Sequence, residues 1–172
     1  MNLKLKRTPG IYVVGFTAAG KSTVGRHLAH KMGWSFFDID HEIEGAEGID
    51  LASLVAARGE AELRRIETEI LRQHVRSIER GRPAVLALGS GAFVEWRNRN
   101  LLENNGISVW LDCPLETVKR RVADALTHDR TKFAALYDAR REFYAKADLK
   151  IAIESDDPEI TVAAILSHPL FR

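Results

Sequence analysis

A glycine-rich run near the amino terminus constrains this chain most, and it reads Gly15-Phe16-Thr17-Ala18-Ala19-Gly20-Lys21-Ser22. It fits the phosphate-binding pattern G-x-x-x-x-G-K-[ST]. The β-branched and aromatic residues 11–14 precede it and predict a buried strand. After it, Val24, Leu28 and Met32 recur at helical spacing. A strand, a tight turn and a helix N-terminus direct backbone N–H groups and a helix dipole at one point. The sequence therefore predicts a nucleotide-binding α/β protein.

The residues of this loop are the candidate ATP ligands. Lys21 is expected to bring a positive charge to the β- and γ-phosphates, and the Ser22 hydroxyl to bind Mg²⁺. The candidate phosphate-binding residues are Gly15, Ala18, Ala19, Gly20, Lys21, Ser22 and Thr23.

Composition narrows the class of protein. The chain has 172 residues, enough for one compact domain, with 25 Lys and Arg against 24 Asp and Glu. This balance argues against a dedicated nucleic-acid-binding protein. The single cysteine, Cys113, excludes an internal disulfide framework and a cysteine-based zinc site. The amino terminus lacks an apolar signal segment and no run has membrane-spanning length, so we expect a cytoplasmic protein without a membrane partner.

Apolar runs alternate with helical patterns along the chain. Strands are predicted at residues 11–14, 35–37, 84–88, 107–111 and 149–153. Helical patterns follow the phosphate loop and cover residues 41–79 with breaks near Gly48 and Gly59, then 98–104, 114–121, 131–147 and 158–167. Five strands that alternate with helices predict a parallel sheet covered on both faces, a three-layer α/β/α domain spanning residues 1–172.

Two acidic residues, Asp38 and Asp40, follow the second predicted strand. In an extended chain their side chains point the same way, here toward the phosphate loop. One is expected to order water around Mg²⁺ and the other to accept a proton from an attacking hydroxyl. Aspartate is also a preferred helix N-cap, so a purely structural interpretation stays open.

Two further features suit an anionic acceptor. Gly89-Ser90-Gly91 ends the third predicted strand and allows backbone N–H groups to approach a ligand. Arg64, in the long helix, has the planar guanidinium that binds a carboxylate through two hydrogen bonds. Taken singly, the turn is also common as a purely structural feature, and Arg64 or its neighbour Arg65 is more typical of a surface ion pair than of a functional site.

Several segments match, in the same order, those of one known family. They are residues 15–26, 37–40 with Ile43-Glu44, 59–60 with 63–67, 88–91, 109–111, and Arg140 with Tyr144 and Ala147-Asp148. On these segments the sequence resembles the shikimate kinase family, and the resemblance covers nearly the whole chain. It implies a P-loop fold of the nucleoside monophosphate kinase-like type and a monomer. The implied activity is transfer of the ATP γ-phosphoryl, with Mg²⁺, to the 3-hydroxyl of shikimate.

The resemblance also implies roles for individual residues. Asp40 would hold the shikimate hydroxyls and act as the base, and Asp38 would support Mg²⁺ through water. Arg64 and Arg140 would bind the shikimate carboxylate above a floor formed by Gly89, Ser90 and Gly91. Arg121 and Pro158 would flank the adenine.

The chain departs from the family pattern at two places. Ser90 stands where the family has the middle one of three glycines, and its side chain adds bulk at the substrate floor. The lid segment, residues 122–131, is shorter than usual and lacks the Arg-Pro-Leu-Leu motif whose arginine reaches the transferring phosphate. We expect weak turnover unless Arg130 takes that catalytic role, and an unchanged rate in Arg130→Ala would exclude the substitution.

Two alternatives stay open on the sequence. One is a P-loop kinase for another small hydroxy acid or a nucleoside, although Asp38, Asp40, Arg64 and Arg140 together suit a polyhydroxy carboxylic acid. The other is a ligand-binding module of the same fold with little or no turnover. The shortened lid and Ser90 favour such a module, whereas the complete set of phosphoryl-transfer residues opposes it.

Overall fold

The chain forms one parallel five-stranded sheet with helices on both faces. The computed structural model describes residues 10–123 and 130–171. The strand order is β2-β3-β1-β4-β5. The strands are β1 (Gly10–Val14), β2 (Ser35–Asp38), β3 (Ala84–Ala87), β4 (Ile107–Asp112) and β5 (Leu149–Ala152). This sheet confirms the predicted fold class.

Eight α-helices lie in the described residues. They are α1 (Lys21–Met32), α2 (Ile39–Glu47), α3 (Leu51–Arg58), α4 (Glu60–Glu79), α5 (Trp96–Glu103), α6 (Leu115–Arg121), α7 (Arg130–Tyr144) and α8 (Pro158–Ser167). Short 3₁₀ turns occur at Ala92–Val94 and Pro169–Phe171. None of the described helices is long and apolar enough to cross a membrane.

The direction of each crossover places the helices. The connection from β1 to β2 runs toward one edge of the sheet, and the later connections run toward the other edge. Because such crossovers are right-handed, α1 lies on one face and the helices α2 to α5 and α7 lie on the opposite face. Helix α8 packs against α1 and completes the first layer. The two central strands β1 and β3 are therefore completely buried, as expected for a parallel sheet covered on both faces.

Most predicted boundaries hold within a few residues, but one correction concerns the site. Strand β2 ends at Asp38 and α2 begins at Ile39, so Asp40 lies in the first turn of a helix rather than in an extended chain. The reason is local, because the Asp38 side chain accepts a hydrogen bond from the His41 N–H at 3.2 Å and starts the helix. Asp38 thus has the capping role that the sequence left open.

The predicted lid falls largely outside the described residues. Residues 124–129 are not among them, and Arg130 is described only as the first residue of α7, without its side chain. The shortened lid and the catalytic role of Arg130 therefore stay predictions.

Candidate active site

The phosphate loop connects β1 to the first turn of α1. Gly20, with φ 97°, and Ala18, with φ 60°, both adopt the left-handed conformation that turns the chain. Lys21 Nζ donates to the carbonyl oxygens of Gly15 at 3.0 Å and Phe16 at 2.8 Å. The loop thus folds around its own lysine and keeps the ammonium group under the turn.

Burial lowers the pKa of Lys21 to about 8, although the nearby carboxylates of Asp40 and Asp38 oppose the shift. A buried ammonium group without full compensation attracts anions strongly. This electrostatic arrangement suits a phosphate ligand.

Ser22 and Asp38 meet beside the loop. The Ser22 hydroxyl donates directly to the Asp38 carboxylate. A hydroxyl and a carboxylate are the oxygen donors that Mg²⁺ prefers, and the ion commonly takes its other ligands from water and substrate phosphates. No cluster of three or more His, Cys, Asp or Glu side chains suited to a metal occurs in the described part of the chain. The pair therefore fits an Mg²⁺ ion that arrives with a nucleotide.

Asp40 lies within a cavity of about 450 Å³ on one side of the loop. Lys21, Ser22, Asp38 and Ser90 also line this cavity, which we call the acceptor cavity. Burial raises the pKa of Asp40, whereas Lys21 pulls it down. A carboxylate with a raised pKa is a better proton acceptor than a surface aspartate.

Glu67 is a site residue to which the sequence analysis assigned no role. Its side chain is only 1% exposed, and its Oε1 accepts from Arg64 Nη1 at 3.0 Å. Burial raises its pKa to about 7, although Arg64 opposes the shift. The signal was present, because this acid interrupts the apolar face of α4, between Ile66 and Leu71.

Arg64 packs directly on the turn after β3. A Cβ atom on Gly91 would lie 2.6 Å from Arg64 Cζ, so a side chain there would displace the guanidinium from its present position. At Gly89, a Cβ atom would lie 3.0 Å from Glu67 Oε2 and would also collide with the Asp40 carboxylate. Arg65, in contrast, is exposed and pairs with Glu62 at 2.7 Å.

Arg140 reaches the same turn from α7. Its Nη1 donates to the Ser90 hydroxyl at 2.8 Å, and its Cζ lies 5.9 Å from the centroid of the Phe16 ring. Arg64 and Arg140 therefore both contact the turn at residues 89–91, as a pair that binds one carboxylate would.

A second cavity of about 540 Å³ lies on the other side of the phosphate loop. Arg121 and Pro158 line it, and Arg121 Nη1 donates to the Ala18 carbonyl oxygen at 2.8 Å. Nη2 of the same guanidinium forms an ion pair with Asp156 Oδ1 at 2.7 Å. Both cavities are bounded by Ala18, Gly20 and Thr23, so they meet at the loop.

The fold and this site together define a small-molecule P-loop kinase of the nucleoside monophosphate kinase-like type. The family model "Shikimate kinase" matches residues 17–168. The chain belongs to the shikimate kinase family.

Individual relatives agree with this assignment. A shikimate kinase of Persephonella marina is 36% identical over 92% of this chain and 97% of its own length. One of Synechococcus elongatus is 37% identical over 91% of this chain and 84% of its own. The structure of shikimate kinase from Acinetobacter baumannii in complex with shikimate has a TM-score of 0.86 and 32% identity, covering 96% of this chain and 95% of that one.

These comparisons confirm the predicted family, the fold and the class of ATP-dependent phosphotransferase. They do not favour the ligand-binding module or a kinase for another hydroxy acid.

Proposed function

We propose that this chain transfers the γ-phosphoryl group of ATP to the 3-hydroxyl of shikimate, a step of aromatic amino-acid biosynthesis. The observation that supports this most is the pair of cavities that meet at the phosphate loop. One suits a nucleotide, and the other offers a buried carboxylate next to a turn that two arginines contact. Phosphoryl transfer requires such juxtaposition of donor and acceptor more than covalent chemistry by the protein.

Asp40 is the proposed base. As the 3-hydroxyl oxygen bonds to the γ-phosphorus, its proton passes to the Asp40 carboxylate. The bond between the γ-phosphorus and the bridging oxygen breaks, and ADP leaves with the electron pair. Lys21 lies near Asp40 and stabilises the charge on the phosphates, so base and cation act from the same wall of the cavity.

Substrate orientation is the proposed role of the turn and its arginines. Arg64 and Arg140 bind the shikimate carboxylate, and Gly89, Ser90 and Gly91 form the floor beneath the ring. The absence of side chains at Gly89 and Gly91 is what lets Asp40, Glu67 and Arg64 approach this floor.

Nucleotide binding is assigned to the loop and the second cavity. The proposed phosphate ligands are Gly15, Ala18, Ala19, Gly20, Lys21, Ser22 and Thr23, and Arg121 and Pro158 flank the adenine. Ser22 and Asp38 would hold Mg²⁺, which neutralises charge on the phosphates when bound. Arg130 is the proposed source of positive charge at the transferring phosphate.

We further propose that the protein acts as a cytoplasmic monomer, a single kinase domain over residues 1–172 without nucleic-acid or membrane partners. The near-neutral net charge of +1 supports the absence of nucleic-acid binding. Light scattering after size-exclusion chromatography measures the oligomeric state directly.

The deciding experiment is ADP release from Mg·ATP with and without shikimate. We expect strong stimulation by shikimate and little by gluconate or nucleoside monophosphates. Lys21→Ala is the matched inactive control. ADP release that is independent of shikimate, or equal with gluconate, would refute the assignment.

A further inference from the structure

Helix α7 contacts the turn after β3 at two atoms of one residue. Arg140 Nη1 donates to the Ser90 hydroxyl at 2.8 Å, and the Tyr144 hydroxyl donates to the Ser90 carbonyl oxygen at 2.5 Å. Arg140 and Tyr144 are four residues apart and therefore share one face of the helix. Ser90 is thus held against the helix that supplies one of the two site arginines.

Ser90 is the position in this turn that accommodates a side chain. A Cβ atom at Gly89 or Gly91 would displace site side chains, namely Asp40 and Glu67 at the first position and Arg64 at the second. The backbone at Ser90 does not adopt a positive φ, so a side chain causes no strain there. The serine that departs from the family pattern thus directs its hydroxyl to Arg140.

The two site arginines differ in what holds them. Arg64 contacts the acidic side chains of Glu60 at 3.1 Å and Glu67 at 3.0 Å, so acids of the protein already occupy its N–H donors. Within residues 10–123 and 130–171, Arg140 has no ion pair with a carboxylate. Its partners there are the neutral hydroxyls of Ser90 and Tyr144 and the Phe16 ring, and the Glu67 carboxyl interacts with it electrostatically at longer range.

A neutral acceptor fixes the direction of a guanidinium group without cancelling its charge. A guanidinium has five N–H donors, and bonds to the hydroxyls of Ser90 and Tyr144 use two at most, which leaves a pair for a carboxylate. A serine hydroxyl that accepts from arginine also retains its own O–H donor. Holding a long side chain in place before binding removes part of the entropy cost of binding.

We propose that Ser90 is a positioning residue that orients Arg140 and makes it the principal anchor for the substrate carboxylate. This inference rests on the proposed function, because it assigns the part of shikimate that Arg140 recognises. Arg64 then contributes less to carboxylate binding than Arg140 does.

The first test compares Ser90→Ala and Ser90→Gly with the wild type. Because Ser90 only orients Arg140, its loss should cost about as much as an ordinary hydrogen bond and raise the KM for shikimate about three- to tenfold, with a smaller effect on kcat. The KM for ATP should stay within about twofold. Ser167→Ala, an exposed serine in α8, is the matched control.

Two further measurements separate positioning from a general structural effect. With the methyl ester of shikimate, which lacks the charged carboxylate, the wild type and Ser90→Ala should have the same KM. In an Arg140→Ala background, Ser90→Ala should no longer lower kcat/KM, because both changes remove one interaction.

Three results would each overturn the inference. The first is that Ser90→Ala raises the KM for the ester as much as the KM for shikimate, and the second is that the two substitutions lower kcat/KM additively. The third is that the KM of Ser90→Ala for shikimate stays within twofold of that of the wild type. Failure of the proposed function is a different result, since the wild type itself would then show no shikimate-dependent ADP release.

Discussion

At the scale of single residues, burial shifts the proton affinity of three charged groups in one small region. It lowers the pKa of Lys21 and raises those of Asp40 and Glu67, so each shift favours the neutral form. The three groups interact, because Asp40 counteracts the shift of Lys21 and adds to that of Glu67. Such clusters are common where proteins bind and transform charged ligands. The pH dependence of this protein should therefore originate largely here.

Nucleotide affinity should fall above about pH 8. Free Lys21, with a pKa of about 8, loses its proton there, whereas phosphate keeps it protonated in the complex. Binding then takes up a proton, and the Kd for ADP should rise up to about tenfold per pH unit. Calorimetric titration with ADP between pH 7 and 9.5 measures this slope.

Lys21→Arg is the control for that experiment. Arginine stays charged over the whole range, so its weaker binding should not vary with pH in this way. A slope in the arginine variant equal to that of the wild type would assign the titration to another group.

Glu67 should make the protein less stable as the pH rises. The unfolded carboxyl ionises from about 4.5, whereas the folded one keeps its proton until about 7. The folded state thus binds more protons in this window, and its stability falls as they are released. The free energy of unfolding of Glu67→Gln, relative to that of the wild type, should therefore increase by roughly 2 kcal/mol from pH 5 to pH 8, because glutamine never ionises.

Urea denaturation at both pH values gives this difference. Glutamine retains an oxygen that can accept from Arg64, so the variant removes the charge and keeps an acceptor. If the difference in free energy of unfolding between the wild type and Glu67→Gln did not change with pH, the raised pKa of Glu67 would be contradicted.

At the scale of elements, local patterns in the sequence predicted the fold well. The phosphate loop, the five strands and the breaks at Gly48 and Gly59 all depend on residues close together in the chain. The backbone at Asp40 was predicted wrongly, because the Asp38 cap starts α2 at Ile39, two residues before the predicted start. The partners of Glu67 and Ser90 lie on packed helices and turns. Alternation and spacing in the sequence carry no information about which distant side chains meet there.

The turn after β3 gives the sharpest test of an element in the site. In Gly91→Ala the new Cβ atom would force Arg64 away, since it would lie 2.6 Å from Cζ. We expect kcat/KM for shikimate to fall at least about tenfold, because small misplacements of binding groups are costly. The KM for ATP should change little.

Gly45→Ala provides the matched control. Gly45 lies within α2, and a Cβ atom there would meet nothing within 4 Å. This variant should retain the kinetics and gain about 0.5 to 1 kcal/mol of stability from the better helix propensity of alanine. Equal losses of activity in both variants would show that the turn has no particular role.

At the scale of the whole molecule, the sheet brings together residues that are far apart in the chain. The second cavity combines the phosphate loop with Arg121 from the end of α6 and Pro158 from the start of α8. The acceptor cavity combines the same loop with the start of α2 and the turn after β3. The carboxyl ends of parallel strands meet at one edge, which explains why both cavities lie there. The sequence predicted this edge, and the resemblance assigned adenine and shikimate to different residues, but the sequence did not show that the phosphate loop divides the space into two cavities.

The separation predicts that nucleotide and acceptor stabilise the fold independently. Each ligand at about 100 times its Kd should add about 2.7 kcal/mol, which raises the Tm of a domain of this size by roughly 5 to 10 °C. Arg140→Ala should lose most of the shift with shikimate and keep the shift with ADP. Lys21→Ala should show the reverse, because Lys21 lies under the phosphate loop, whereas Arg140 contacts the turn after β3. Thermal unfolding of the wild type, Arg140→Ala and Lys21→Ala with each ligand alone measures these Tm shifts. If Arg140→Ala lost the Tm shift with ADP as well as the one with shikimate, the two sites would not be independent.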